Sequence, residues 1–379
     1  MLSYWEKASL LHYDVIIVGS GIVGLSTAAS VKEQAPHKRV LVVERGLLPT
    51  GASTKNAGFA CIGSLTEILD DLAYMQPEEV LQLVNLRYKG LNRLRKRLGD
   101  AAIDYAADGS FELISEAETA ALDKMEAINE MLEPMLGGKA FSLADERITE
   151  FGFSKDHTKH LVQNHFEGQL HSGKAIRSLI DYCLHMGIEI KTGCEVMAID
   201  DDGQQVHVRC RNAVIGNEIA FTAGNVAICT NAFTRSLYPE LEIQPGRGQV
   251  LVTEPIPNLP FKGIYHFDKG FYYFRELEGR ILFGGGRNLD FEGERTTEFA
   301  FNELIREALL EKLRSVIIPG IDFKVSDWWT GIMAFGSSKF PIIKQHSPRV
   351  CVGVRMGGMG VAIGSEAGDQ LAAFINRQA

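Results

Sequence analysis

Cysteine is sparse in this chain: six among 379 residues, Cys61, Cys183, Cys194, Cys210, Cys229 and Cys351, with no Cys-x-x-Cys pair. That spacing excludes a disulfide-stapled scaffold and a thiolate zinc site, and we expect reduced thiols in a cytoplasmic protein. No metal is expected. The acidic run Asp200-Asp201-Asp202 lacks the following ligand series of a calcium loop, and His171 and His266 have no partner at a metal or triad spacing. Apolar runs are short: none approaches the roughly 20 residues that span a bilayer. The opening MLSYWEKASLLH lacks the basic start and unbroken apolar core of a secretion signal. Positive charge is not in excess, with 39 Lys and Arg against 48 Asp and Glu and a net charge of −9, so binding of nucleic acid by the whole surface is not expected. Prolines number 12, and 45% of residues are hydrophobic, which excludes disordered and collagen-like classes. What is present suffices for one elaborate domain or two to three coupled ones.

The strongest local signal is at the start. Tyr13-Asp14-Val15-Ile16-Ile17-Val18 is a β-branched run suited to a strand buried on both faces. Gly19-Ser20-Gly21-Ile22-Val23-Gly24 follows it directly, a helical pattern runs on to Lys32, and a second apolar strand ends at Glu44. This is a βαβ unit with a dinucleotide fingerprint in its proper context. Gly19 permits the tight turn, Gly21 lets the backbone approach a pyrophosphate, and Gly24 lets helix and strand pack closely. The helix N-terminus supplies free N–H groups, and Glu44 would accept ribose hydroxyls while disfavouring NADP. The motif itself leaves NAD and FAD open.

Further along, helical spacing returns from Ser64 to Gly99, with Pro77 at a helix start, and residues 116–136 read as another helix. Ile103–Ser115 alternates around Asp108-Gly109, which predicts a hairpin, and Glu278-Gly279 predicts another between aromatic and apolar strands. Residues 173–186 read as a helix. Alternation of α/β segments with antiparallel insertions predicts an α/β fold: a Rossmann-like domain with a discontinuous second, α+β domain on an antiparallel sheet. We place the first domain at 1–99, 160–235 and 326–379, and the second at 100–159 and 236–325.

With the run Gly51-Ala52-Ser53-Thr54-Lys55-Asn56-Ala57-Gly58-Phe59, the fingerprint resembles the N-terminal signature of the D-amino-acid-oxidase-like FAD oxidoreductases. Within that superfamily the look is nearest to glycine oxidases and γ-glutamylputrescine oxidases. The likeness continues in Glu167-Gly168, Ala227–Ala232, Pro245–Gln249, Trp329-Thr330-Gly331 and Gly357-Gly358-Met359-Gly360-Val361-Ala362, in the family's order. It implies FAD, and an enzyme that moves a hydride from the carbon bearing an amine to flavin N5, leaving an imine for water to hydrolyse. The cofactor set it implies is Gly19, Gly21, Ile22, Val23, Gly24, Glu44, Arg45, Gly51, Ala52, Ser53, Asn56, Ala57, Gly58, Val196, Thr230, Asn231, Gly357, Gly358, Met359, Gly360 and Val361.

Relatives that bind flavin covalently use a His where this chain has Asn56, or a Cys near Ile332-Met333, so non-covalent FAD is expected. Tyr272 matches the position of a substrate-contacting tyrosine, and Arg275 is a candidate for a substrate carboxylate. The carboxylate-binding arginine that relatives place just after Trp-x-Gly is missing, since Ile332-Met333-Ala334 stands there; Arg247, Arg275, Arg287 and Arg355 are the alternatives. Leu282 replaces the lysine of sarcosine-oxidase-like members, so oxygen and another electron acceptor, such as a quinone, both stay open. The expected partner is an amine or amino acid; the oligomeric state is open. A non-catalytic flavoprotein subunit or redox sensor is the rival reading.

Overall fold

The computed structural model describes residues 2–212 and 216–377. Strand His12–Val18 lies at the middle of the first sheet, parallel to Val40–Val43 on one side and Glu218–Ile228 on the other. Glu189–Lys191 and Val350–Val354 extend the parallel part outward. Val15, Ile16, Ile17 and Val40 to Val42 are wholly buried, as a parallel sheet covered on both faces requires. Helices Ile22–Gln34 and Gly360–Asn376 pack over it at a distance set by small residues: a Cβ at Gly368 would stand 2.6 Å from the Thr27 amide nitrogen. The hairpin Cys194–Asp201 and Val206–Asn212 joins this sheet antiparallel, through Glu218–Ile228.

A second, mostly antiparallel sheet runs in the order Val325–Phe335, Gln244–Thr253, Arg280–Gly285, Tyr272–Leu277, Ile264–Phe267, Ser110–Ile114, His160–Asn164 and Phe141–Leu143. Along most of its strands the side chains alternate between the two faces. Phe111, Tyr265, Phe267, Tyr272, Phe274 and Phe283 fill one face and form an aromatic core with helix Glu303–Lys312, the Tyr265 and Phe274 rings stacking at 4.7 Å. Each such ring withdrawn from water contributes roughly 2 to 3 kcal/mol. The opposite face carries His266, Tyr273 and Val250 toward the cleft, and Glu112 toward the start of helix Leu65–Leu72. No helix among the described residues is long and apolar enough to cross a membrane.

Several expectations change. Asp108-Gly109 does not close a hairpin: Asp100–Ile103 is a short 3-10 turn, and Ser110–Ile114 pairs parallel with Ile264–Phe267 and antiparallel with His160–Asn164. Long-range pairing overrides local turn preference there, and Gly109, at φ 111°, accepts from the Ile264 amide instead. The Glu278-Gly279 hairpin forms, with φ of 53° and 76°. Residues 116–124 are 3-10 before the α-helix Met125–Leu136 begins. Strand His160–Asn164 and residues 326–335 of strand Val325–Phe335, which the sequence boundaries place with the first domain, lie in the second sheet.

Candidate functional site

A cavity of about 920 Å³ opens between the two sheets, at the carboxyl ends of the central parallel strands where a doubly wound sheet leaves its crevice. At one end it is lined by Glu44, Arg45 and Val196, with the Arg45 guanidinium 3.7 Å from the Phe233 ring centre. The Glu44 carboxylate accepts from the Ser20 amide at 3.1 Å, the Ser20 hydroxyl at 2.8 Å and the Gly46 amide at 3.0 Å. Next come Gly19, Gly21, Ile22 and Val23 at the helix N-terminus, facing Gly51, Ala52 and Ser53. Ser53 joins the two loops by accepting from the Ile22 amide at 3.0 Å. Gly24 does not face the cavity. Its missing Cβ would fall 1.9 Å from the Gly19 carbonyl oxygen, so only glycine lets the helix start this close to the strand.

Beyond the phosphate region the cavity widens between Asn56 and Ala57 and the turn Gly357–Val361. Asn56 is fully engaged: its Nδ2 donates to the Ser53 carbonyl, and its Oδ1 accepts from the Gly58 amide and the Ser172 hydroxyl. Thr230 and Asn231 also line this part. Asn231, itself at φ 47°, accepts from the Arg355 amide at 3.0 Å and so ties together the turns that follow two parallel strands. Gly58 lies behind the wall; a Cβ there would meet the Leu170 carbonyl at 2.2 Å.

The roof over this wider part is a hollow in the second sheet. Gly248 and Gly331 line it without side chains, while Gly246 and Gly284 are covered by the Phe335 and Tyr273 rings, 2.5 and 2.7 Å from where a Cβ would stand. Tyr273 and Phe271 line the hollow; Tyr272 does not. The Tyr272 ring points to the other face, stacked on Phe267 at 4.9 Å within the aromatic core. The tyrosine at the cavity is therefore Tyr273, one position after the expected Tyr272, because neighbours on a strand face opposite sides. Accordingly Tyr272→Phe should leave kcat/KM within about twofold, whereas Tyr273→Phe, which removes a hydroxyl from the cavity wall, should lower it about tenfold or more.

Arg275 is also absent from the cavity. Its Nη1 donates to the Leu170 carbonyl at 2.8 Å and to those of Ala57 and Gly58 at 3.4 Å, fastening the signature loop to the sheet. Burial pulls its pKa down to about 10. Arg275→Met would strip the donor from these carbonyls at a cost of about 1–3 kcal/mol. A fall of several degrees in Tm by calorimetry is expected; an unchanged Tm with lost turnover would return Arg275 to a substrate role.

The other arginines sort by partner. Arg247 is bidentate to buried Glu294 at 2.8 and 2.9 Å, and Arg355 is held by Glu242 at 2.9 Å and the Phe340 carbonyl. Arg287 lines the cavity, half-buried, its guanidinium 4.0 Å from the Phe335 ring centre and 4.7 Å from that of Phe291. No carboxylate of the described residues pairs with it, and burial draws its pKa down against the pull of nearby Glu294. Its Nη1 lies 3.4 Å from the Cβ position of Gly246, the strand partner of Met333. The charge missing after Trp-x-Gly thus enters the same region from another strand end. Leu282 packs with Ala57 and Val250 in an apolar cluster, behind the cavity wall.

The wall also carries His266, which has no partner at a metal or triad spacing in the sequence. It stands edge-on to Phe59 at 5.1 Å, with Phe59 in turn edge-on to Tyr273 at 5.6 Å. Its pKa is lowered to about 4 by burial, so the ring is neutral at pH 7. Nothing in the local sequence marks it, since the groups it meets come from other strands.

A parallel sheet ending in a dinucleotide cradle, facing an aromatic, cation-bearing roof from a second sheet, is the arrangement of a flavin oxidoreductase. The family model described as FAD dependent oxidoreductase, DAO, matches residues 14–374, and the chain belongs to that family. The residues present fit FAD: the cradle is closed to a Cβ at Gly19, Gly21 and Gly24, and the cavity continues into a space large enough for a ring system. Among curated proteins, the chain is similar to Probable oxidoreductase OrdL of Haemophilus influenzae, 22% identical over 380 residues, covering 96% of this chain and 83% of that one. The fold is similar to glycine oxidase from Geobacillus kaustophilus, with a TM-score of 0.76 at 19% identity over 97% of this chain and 95% of that one. It is also similar to L-amino acid deaminase from Proteus myxofaciens in complex with anthranilate, with a TM-score of 0.77 at 17% identity over 97% and 91% of the two chains.

Proposed function

We propose that this oxidoreductase acts on an amine that carries a carboxylate, an amino acid or an N-substituted amino acid, oxidising its C–N bond to an imine that water then hydrolyses. When bound, FAD supplies the two-electron acceptor for this step. The observation that carries the reading is the unpaired Arg287 guanidinium between Phe335 and Phe291 at the edge of the glycine hollow. A half-buried cation without an internal counter-ion is a ready anchor for a planar anion. Arg287 holds the carboxylate, Tyr273 turns its hydroxyl to the substrate, and Phe59 and Met333 keep water away from the reacting carbon.

The first-sheet segments bind FAD and the second sheet binds substrate. FAD is held non-covalently, because Asn56 is locked in its loop and burial pushes the Cys61 thiol well above its ordinary pKa. An open, aromatic-lined cavity with a convergent cation favours an enzyme over a subunit without substrate. The apolar surroundings of Leu282 place no ammonium on that strand, which favours an acceptor such as a quinone over fast reaction with oxygen. The test is a matched pair of amines, one with a carboxylate and one with the corresponding amide, added anaerobically to the yellow protein. Bleaching by the acid at far lower concentration than by the amide is expected; equal response would remove Arg287 from the account.

A further inference from the structure

The cleft-facing side of the second sheet holds a polar row that the reaction above leaves unused. His266 is the register partner of Glu112 in the parallel strand pair and of Tyr273 in the antiparallel one. Glu112 and His266 are buried, at 3% and 7% exposure. His266 lines two spaces at once, the large cleft and a cavity of about 10 Å³ that Glu112 and Glu167 also line. That volume, in a polar setting, is about what one water needs. The His266 Nε2 is buried and has no hydrogen-bond partner among the described residues.

Glu112 also caps helix Leu65–Leu72, accepting from the Ser64 hydroxyl at 2.8 Å, the Thr66 amide at 3.2 Å and the Thr66 hydroxyl. Burial nevertheless outweighs these donors and raises its pKa to about 7. The titratable groups around the pair are few. Glu67, ion-paired with Arg87 at 3.5 Å, and Cys61 line the cleft beside His266. Glu167, held by Ser110 and the Ile62 and Gly63 amides, shares the small cavity with Glu112, and Glu118 acts on it from farther off.

We infer that His266 and Glu112 form a proton branch off the substrate cavity: an ammonium proton leaves the substrate, passes through the His266 ring, and crosses a single water to the Glu112 carboxylate. The inference rests on the amine-oxidising reading. The substrate changes from ammonium to free amine, Glu112 changes from carboxylate to acid, and His266, taking a proton on one nitrogen and releasing one from the other, stays neutral. No electrons move in this step. An amine must be unprotonated before its C–N bond is oxidised, and the His266 side of the cavity offers a buried acceptor for that proton.

Because the branch works with Glu112 ionised, reduction of flavin by a saturating amine should slow as pH falls through about 7. In Glu112→Gln and in His266→Gln this acid limb should vanish, with the rate at higher pH lowered about tenfold or more. His266→Gln leaves the cap of helix Leu65–Leu72 intact, so a shared loss cannot come from that helix. A second readout needs no turnover: in the resting holoenzyme the infrared band of a protonated buried carboxyl should titrate near pH 7 and lose one component in Glu112→Gln. The limb persisting in either variant, or Glu112 staying ionised through that range, overturns the branch while leaving the function intact. A wild-type flavin that no amine reduces would instead sink the function, and the branch with it.

Discussion

Gly24→Ala should yield protein that emerges from gel filtration without its yellow colour. The added Cβ would stand 1.9 Å from the Gly19 carbonyl oxygen and 3.0 Å from its carbon, both backbone atoms of the phosphate loop. Neither can move aside alone: Gly19 at φ 103° has only 2.9 Å between where a Cβ would stand and the Cys229 carbonyl oxygen, and its amide is bonded to the Val43 carbonyl at 2.8 Å. Relief requires the helix Ile22–Gln34 to lift, which carries the Gly21 to Val23 backbone away from the diphosphate. Overpacking of this kind costs about 1–3 kcal/mol or more. If most of that falls on the bound state, flavin affinity drops roughly 10- to 100-fold. Fluorescence titration of FAD into the stripped variant measures it directly, and affinity equal to wild type would mean the cradle is not where the diphosphate sits.

Arg287→Met should be nearly as damaging, but selectively. The side chain it removes is a cavity arginine at the roof without a carboxylate of its own, and methionine keeps much of the volume between Phe335 and Phe291. Truncating one member of a desolvated charge pair costs about 2–5 kcal/mol. For an amine carrying a carboxylate, kcat/KM is therefore expected to fall about 30-fold to 1,000-fold or beyond, chiefly through KM. The matched amide should lose little. Arg287→Lys should recover part of the loss, since an ammonium restores the charge without the bidentate fork. Equal losses for acid and amide would show that Arg287 only supports the aromatic wall.

The cradle was legible in the sequence because it is local: strand, glycines, helix and terminal acid lie within one short βαβ unit, and each constrains the next. The roof was harder for a definable reason. Phe271-Tyr272-Tyr273-Phe274 is aromatic throughout, so alternation carries no hydropathy contrast to set its phase, and a slip of one residue exchanges the two faces. Tyr272 was thereby favoured over Tyr273. Arg275 shares the correct face, yet its neighbours Ala57, Gly58 and Leu170 come from distant loops that no local pattern places beside it. The Glu112 and His266 pair depends on a parallel pairing of two strands far apart in the chain, and Asp108-Gly109, read as a hairpin, pointed away from it. Arg287 was one of four candidate arginines; what separates it is the partner each of the others has found.

The central claim is that the cleft between the two sheets holds FAD and brings the carbon beside an amine nitrogen into contact with it. The most direct measurement is anaerobic single-turnover reduction of the purified protein by a carboxylate-bearing amine, with hydrogen or deuterium on that carbon. The expected result is a yellow protein that bleaches by two electrons per molecule of substrate, more slowly with deuterium. Flavin that stays oxidised with a broad panel of such amines, or bleaching at the same rate for both isotopes with chemistry shown to be rate-limiting, would contradict it.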